Sequence, residues 1–108
     1  MYCERDDSMD TVLDMGRIKE DVCALGREYG AERIYLFGSY AKGTATSDSD
    51  VDLRIDKGLI RGLIQLAGLQ MELEKLLRTK VDLLTSDSLD EEFLARISSE
   101  EILLYEHD

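Results

Sequence analysis

The sequence has no proline, no tryptophan, one histidine and only two cysteines among its 108 residues. Cys3 and Cys23 cannot form the disulfide framework that supports small secreted proteins, and they suit a reducing compartment. Basic residues are also scarce, since 13 Lys and Arg stand against 24 Asp and Glu, a formal net charge of −11. A surface that follows a phosphate backbone needs a basic stripe, so we expect no direct nucleic-acid binding.

Long apolar runs are absent as well. The apolar runs span only a few residues, whereas a membrane helix needs about 20. No basic start followed by an apolar block indicates export. The hydrophobic fraction of 44%, arranged periodically, argues against disorder. We therefore expect a single cytoplasmic domain over residues 1–108, with no membrane contact.

Hydrophobic periodicity predicts helices alternating with short strands. The predicted elements are a helix over about 10–29, strands over 33–37, 50–55 and 80–84, a helix over 59–78, a helix ending at Ile97 and a strand over 102–105. Ser88 and Glu91 have the spacing of a capping box at the start of the third helix. The segment 38–49 is predicted to be a loop. This order indicates a small α/β (α+β) domain.

The long helices carry apolar stripes. The first stripe consists of Met15, Ile18, Val22, Leu25 and Tyr29, and we expect it to pack on the sheet. In the second helix, one shared face, expected to be buried, consists of Leu59, Leu63, Leu66, Leu73 and Leu77. Leu69 and Met71 lie off that face, which makes them the better candidates for a protein interface.

Asp50 and Asp52 lie two residues apart on a predicted strand, so their side chains leave the same face roughly 6–7 Å apart. Two such charges repel by about 2.5 kcal/mol at an effective dielectric constant near 20. Asp82, expected on a neighbouring strand, would add to this repulsion. A bound cation would compensate the charges, and oxygen ligands suit Mg²⁺. An isolated Asp-x-Asp is more often a pair of solvated polar positions, and that interpretation stays open here.

Gly38 and Ser39 follow directly on a predicted buried strand. Glycine lets backbone N–H groups approach an anion closely, Ser39 adds a hydroxyl donor, and Lys42 is near enough to contact a phosphate. A Gly-Ser turn alone is usually structural. Next to an acidic metal-binding face, it predicts a nucleoside triphosphate site.

These motifs resemble a known signature. Gly38-Ser39, followed after ten residues by Asp50-x-Asp52, is similar to the nucleotidyltransferase superfamily with the polymerase-β-like fold. The longer segment GSYAKGTATSDSDVDL resembles the minimal nucleotidyltransferases (MNT) that are paired with HEPN toxins in toxin–antitoxin systems. The segment LEKLLRTKVDLLT resembles that family's third-aspartate strand and places the third carboxylate at Asp82. The resemblance covers roughly residues 30–106.

The resemblance implies a small mixed sheet flanked by helices, with a catalytic core over about 31–106. It implies that Asp50 and Asp52 ligate two Mg²⁺ ions, and that Asp82 binds one metal and helps to activate the attacking hydroxyl. Gly38 and Ser39 would hold the β- and γ-phosphates of ATP. The expected activity is transfer of AMP from ATP to a hydroxyl, tyrosine being favoured, of a cognate HEPN toxin, which neutralises it.

Two other functions remain open at this stage. The chain could be a small-molecule nucleotidyltransferase, or an antitoxin that acts only by binding the toxin. Replacing Asp50 and Asp52 with Asn separates catalysis from binding, because only an enzyme needs both carboxylates. Arg54 continues the alternation of Asp50 and Asp52 and so faces the site. Contact with a phosphate or with the acceptor is one interpretation of Arg54, but we expect a solvated or ion-paired side chain.

Overall fold

The computed structural model describes residues 13–107, which form a four-stranded sheet and its helices. The elements in chain order are α1 Met15–Tyr29, β1 Arg33–Phe37, α2 Gly38–Lys42, β2 Val51–Asp56, α3 Gly62–Leu77, β3 Val81–Thr85, a 3₁₀ turn Ser86–Ser88, α4 Glu91–Ser98 and β4 Ile102–Glu106. The first residues of the predicted helix over 10–29, as far as residue 12, lie outside the described residues.

The sheet is mixed, with the strand order β3-β2-β1-β4. β1 pairs antiparallel with both β2 and β4, and β2 pairs parallel with β3. A parallel pair needs a crossover connection, and α3 supplies it between β2 and β3. The predicted fold class and the final strand are confirmed.

The core lies between one face of the sheet and the helices α1 and α3. Strict alternation along β2 places Val51, Leu53 and Ile55 on this face, all fully buried. α1 contributes three of its predicted stripe residues, Ile18, Val22 and Leu25, while Met15 stays partly exposed. A hydrogen bond of 2.6 Å from the Tyr29 hydroxyl to Glu72 ties α1 to α3. The opposite face of the sheet carries the polar residues of β2, which are Asp52, Arg54 and Asp56.

The predicted buried face of the second long helix is wrong in its first half. The helix begins at Gly62 rather than at Leu59, because two glycines with positive φ, Gly58 and Gly62, interrupt the chain there. Leu59 and Leu63 are consequently 74% and 83% exposed. The residues that α3 buries fully are Leu69, Leu73 and Leu77, at four-residue steps.

Of the two residues of α3 that were predicted as interface candidates, one is exposed and one is not. The prediction that Leu69 belongs to a protein interface is wrong, because Leu69 is fully buried in the core. Met71 does lie on the exposed side of the helix.

The predicted capping box of the last helix is also wrong. Asp90 is the N-cap of α4, and its side chain accepts from the backbone N–H of Phe93 at 2.7 Å. Ser88 belongs to the preceding 3₁₀ turn, where its hydroxyl donates to the Thr85 carbonyl. The helix itself runs to Ser98, close to the predicted end.

Candidate active site

The start of the candidate site is a short helix, not the loop predicted for 38–49. α2 begins at Gly38, directly after β1, and Gly43 ends it in a left-handed conformation. Gly38 has a φ of 77°, and a Cβ at this position would overlap Oδ2 of Asp52. Only glycine fits both the backbone conformation and the space. The first turn of α2 can therefore lie directly against the Asp52 carboxylate.

Strand register brings two of the predicted carboxylates together. Asp52 on β2 pairs with Phe37 on β1 and with Asp82 on β3. Since Val51 and Leu53 are buried in the core, the alternation directs Asp52 to the opposite face of the sheet. Asp50 lies one residue before β2, partly buried beside this pair.

Asp52 carries the electrostatic consequence of this arrangement. The pKa of Asp52 is raised to about 6. The largest cause is partial burial, and the neighbouring Asp82 and the negative charge of Asp50 add to it. The Asp52 carboxylate is therefore held beside neighbours that disfavour its negative charge. A cation would relieve the same repulsion.

The donor set fits Mg²⁺ only if the substrate supplies further ligands. Between residues 13 and 107, no group of three or more His, Cys, Asp or Glu side chains is arranged to hold a metal ion. Mg²⁺ is commonly held by one or two carboxylates together with phosphate oxygens and water, rather than by a complete protein cage. The Asp52–Asp82 pair beside Asp50 is compatible with that mode of binding.

The predicted phosphate ligands lie on α2. Ser39 follows Gly38 in the first turn, where backbone N–H groups have no acceptor within the helix, and no side chain caps them. These donors and the Ser39 hydroxyl could bind phosphate oxygens beside Asp52. Lys42 is the last residue of α2, and its ammonium pairs with Glu100 at 3.5 Å. The structure therefore packs Gly38 against Asp52, with Ser39 next to it in the same turn, but pairs Lys42 with the turn before β4.

Sequence reasoning missed the charge network that supports this face. The Arg54 guanidinium forms two hydrogen bonds with Glu101 and a further one with Ser86, and it lies 4.1 Å from the ring centroid of Tyr35. The Arg54 and Glu101 side chains are only 12% and 8% exposed. Arg54 is thus ion-paired, which is one of the two states expected from the sequence. The pair joins the turn before β4 to β2.

Arg54 also pairs with Asp56, which in turn accepts a hydrogen bond from Ser86. Its charge is therefore satisfied by carboxylates other than those of the candidate site. Glu101 is 47 residues away from Arg54 along the chain, so no local pattern could identify it as the partner. The alternation Asp52, Arg54, Asp56 is the only sequence signal of this network.

Comparison with known proteins agrees with this geometry. Residues 23–108 match the family model described as polymerase beta, nucleotidyltransferase. A candidate protein adenylyltransferase of Methanocaldococcus jannaschii is 31% identical over 90 residues, which cover 83% of this chain and 97% of that protein. The protein adenylyltransferase MntA of Thermococcus cleftensis is 42% identical over 65 residues, 60% of this chain and 66% of that protein.

Among solved structures, a toxin–antitoxin crystal structure with AMP-PNP superimposes with a TM-score of 0.72 at 25% identity. The match covers 83% of this chain and 74% of that chain. This similarity agrees with three features of the structure, which are the mixed sheet, the glycine against Asp52 and the Asp52–Asp82 pair. The chain belongs to the polymerase beta nucleotidyltransferase family.

Proposed function

We propose that this chain is a protein adenylyltransferase that transfers AMP from ATP to a hydroxyl group of a partner toxin of the HEPN type and thereby neutralises it. The single observation that carries the proposal is the contact between the start of α2 and Asp52. It places backbone donors without a side-chain cap beside the Asp52 carboxylate, whose negative charge is disfavoured by burial and by Asp82 and Asp50. A nucleotide with bound metal would supply phosphate oxygens to the backbone donors of α2 and a cation to the carboxylates.

In this proposal, the first turn of α2 holds the β- and γ-phosphates of ATP. The Ser39 hydroxyl and the backbone N–H groups after Gly38 are the donors. Lys42 contributes only if nucleotide binding displaces it from Glu100. Gly38 is needed because any side chain there would collide with Asp52. The triphosphate is thereby oriented with its α-phosphorus near the carboxylates.

Asp50, Asp52 and Asp82 would hold two Mg²⁺ ions, which would neutralise the phosphate charge during the transfer. An acceptor oxygen forms a new bond to the α-phosphorus, and the bond between that phosphorus and the bridging oxygen to the β-phosphate breaks. Diphosphate leaves with the electron pair of that bond. The acceptor proton passes to a carboxylate of the site, for which Asp82 is the proposed base. Positioning and charge neutralisation are what this class of reaction chiefly requires.

Surface charge supports a protein acceptor of opposite sign. The formal net charge of −11 favours association with a basic partner and disfavours RNA as the acceptor. The toxin–antitoxin structure that resembles this chain contains a nucleotide analogue, AMP-PNP. In the proposed reaction, the acceptor hydroxyl belongs to the partner toxin.

The test is transfer of label from α-³²P-ATP to the co-purified partner. We expect labelling by the wild-type chain with Mg²⁺, and loss of more than about 100-fold in rate for the double variant Asp50→Asn with Asp52→Asn. Asp48→Asn is the matched control, because this exposed carboxylate lies in the same loop. Equal labelling by the double variant would contradict the proposed site. Protection from the toxin without any labelling would instead identify an antitoxin that acts by binding.

A further inference from the structure

The last helix, α4, lies on the same face of the sheet as the candidate site. Leu36 is fully buried in the core, so the alternation along β1 directs Phe37 to the opposite face, where it pairs in register with Asp52. Phe37 is nevertheless only 9% exposed. The ring of Phe93 on α4 packs edge-on against the Phe37 ring, with the two centroids 6.2 Å apart. Phe93 therefore covers the residue that lies beside Asp52 in the sheet and directly before Gly38.

A single guanidinium is bonded to the segments at both ends of α4. Before the helix, the Ser86 hydroxyl in the 3₁₀ turn accepts from Arg54 at 2.7 Å. After the helix, Glu101 accepts two hydrogen bonds from the same side chain. The backbone N–H of Glu101 in turn donates to the carbonyl of Ile97, in the last turn of α4, at 3.0 Å. Arg54 thus ties both ends of α4 to β2.

The position of α4 depends on this tie. The helix has eight residues and buries Ile97, and isolated helices shorter than about 12 residues are marginal in water. The Arg54–Glu101 pair, by contrast, is largely enclosed, and the guanidinium also packs on the ring of Tyr35. A guanidinium presents its donors in a fixed planar fork, so one side chain can hold Ser86 and Glu101 at the same time. Removing Arg54 would therefore release α4 at both ends.

The geometry points to Arg54 as a positioning residue, which holds α4 in place so that α4 in turn fixes the start of α2. Arg54 ties α4 to β2, and α4 carries Phe93 against Phe37. Phe37 is the N-cap residue of α2, whose first turn begins at Gly38. The inference rests on the proposed function, because that function assigns the first turn of α2 to the nucleotide phosphates. Arg54 itself does not need to touch the nucleotide.

Loss of Arg54 should act on nucleotide binding rather than on the transfer step. Asp52 and Asp82 are held by the pairing of β2 with β3, whereas the donors of α2 follow directly on Phe37. Misplaced donors weaken the hold on the β- and γ-phosphates, so KM for ATP should rise while kcat at saturating ATP is largely kept. A variant that is only less stable has fewer active molecules, which lowers the apparent kcat and leaves KM unchanged. The two kinetic constants therefore separate positioning from general stabilisation.

Steady-state transfer of label from α-³²P-ATP to the partner toxin tests the proposal, at a temperature where circular dichroism shows every variant to be folded. Arg54→Gln should raise KM for ATP about tenfold or more and change kcat less than about threefold. Arg54→Lys is the milder variant, because an ammonium keeps the charge beside Glu101 but lacks the fork, and it should raise KM about threefold or more. Arg33→Gln is the matched control, because Arg33 pairs with Asp56 and Glu106 on β2 and β4. Its KM should stay within about twofold of the wild-type value.

A second substitution on α4 tests the route from Arg54 to α2. Phe93→Ala removes the ring that packs on Phe37, and it should also raise KM for ATP. If Arg54 acts through α4, the variant that combines Arg54→Gln with Phe93→Ala should have about the KM of the single variants rather than the product of their effects. An unchanged KM in Arg54→Gln, a loss confined to kcat, or effects that multiply in the double variant would each overturn the proposal.

Calorimetric titration with Mg-AMP-PNP distinguishes failure of this inference from failure of the proposed function. The dissociation constant of Arg54→Gln should be about tenfold or more above that of the wild-type chain, and that of Arg33→Gln should not. If the wild-type chain binds the analogue but labels no toxin, AMP transfer is wrong, and the weaker binding by Arg54→Gln still supports positioning. Equal binding by Arg54→Gln and the wild-type chain would overturn the inference alone. A wild-type chain that binds no Mg-AMP-PNP would overturn both.

Discussion

Replacing Asp52 with Asn should stabilise the protein in the absence of metal and nucleotide. The Asp52 carboxylate is partly buried against Asp82 and Asp50, and this raises its pKa from 3.8 to about 6. At pH 7.5 the folded protein therefore holds a charge that its surroundings disfavour. Asn keeps the shape of the side chain and removes that charge. The carboxylate is thus expected to weaken the fold at neutral pH.

The pKa shift sets the size of the effect. The difference between about 6 and 3.8 is about 2 pH units, which corresponds to about 3 kcal/mol at 1.36 kcal/mol per unit. Solvent reaches the carboxyl group and screens the interaction, so we expect about 1–2 kcal/mol in the free energy of unfolding. Because the folded state binds the proton more tightly, wild-type stability falls as pH rises from 3.8 to 6. The advantage of Asp52→Asn should therefore be full above pH 7 and vanish near pH 4.

Urea unfolding in EDTA, at several values between pH 4 and pH 8, measures this difference. Asp56→Asn is the matched control on the same strand. Asp56 accepts a hydrogen bond from Arg33 at 3.3 Å and also pairs with Arg54, so its replacement should destabilise the protein at neutral pH. If Asp52→Asn proved less stable than wild type at pH 7.5, or if its advantage did not change with pH, the assigned electrostatics of the site would be wrong.

Three further results are expected. Gly38→Ala should lower stability by about 2 kcal/mol and abolish AMP transfer, as measured by urea unfolding and label transfer, because its Cβ would overlap Asp52 at a φ of 77°. Glu101→Gln should cost about 2 kcal/mol in urea unfolding, since it removes the main partner of the buried Arg54 guanidinium; an unchanged midpoint would contradict the supporting role of this pair. Mg-ATP at 100 times its dissociation constant should stabilise wild type by about 2.7 kcal/mol in thermal unfolding, and the Asp50/Asp52 double Asn variant should show no such increase.

The strands and the central carboxylates were predictable because β2 alternates without interruption. Val51, Leu53 and Ile55 must be buried, so Asp52 and Arg54 must leave the other face. The pairing of Asp52 with Asp82 needed only a parallel neighbour, which a crossover helix supplies. Local pattern and short-range topology therefore determined most of the sheet and the acidic part of the candidate site.

Other features depend on contacts that a local pattern does not encode. The start of α3 is set by the turn through Gly58 and by the hydrogen bond from Leu59 to Gly30, not by leucine spacing. Gly38 at the start of α2 packs closely on Asp52, which is a tertiary contact. The Arg54–Glu101 pair joins residues that are far apart in sequence. These three features could be identified only from the three-dimensional structure.

The most direct test of the account is the intact mass of this chain and a co-expressed HEPN toxin, before and after incubation with Mg-ATP. The account predicts that the toxin gains mass in whole units of AMP, only with the wild-type chain, while the Asp50→Asn/Asp52→Asn variant leaves it unmodified. A toxin that is neutralised in a stable complex while neither mass changes would contradict nucleotidyl transfer as the function of this site.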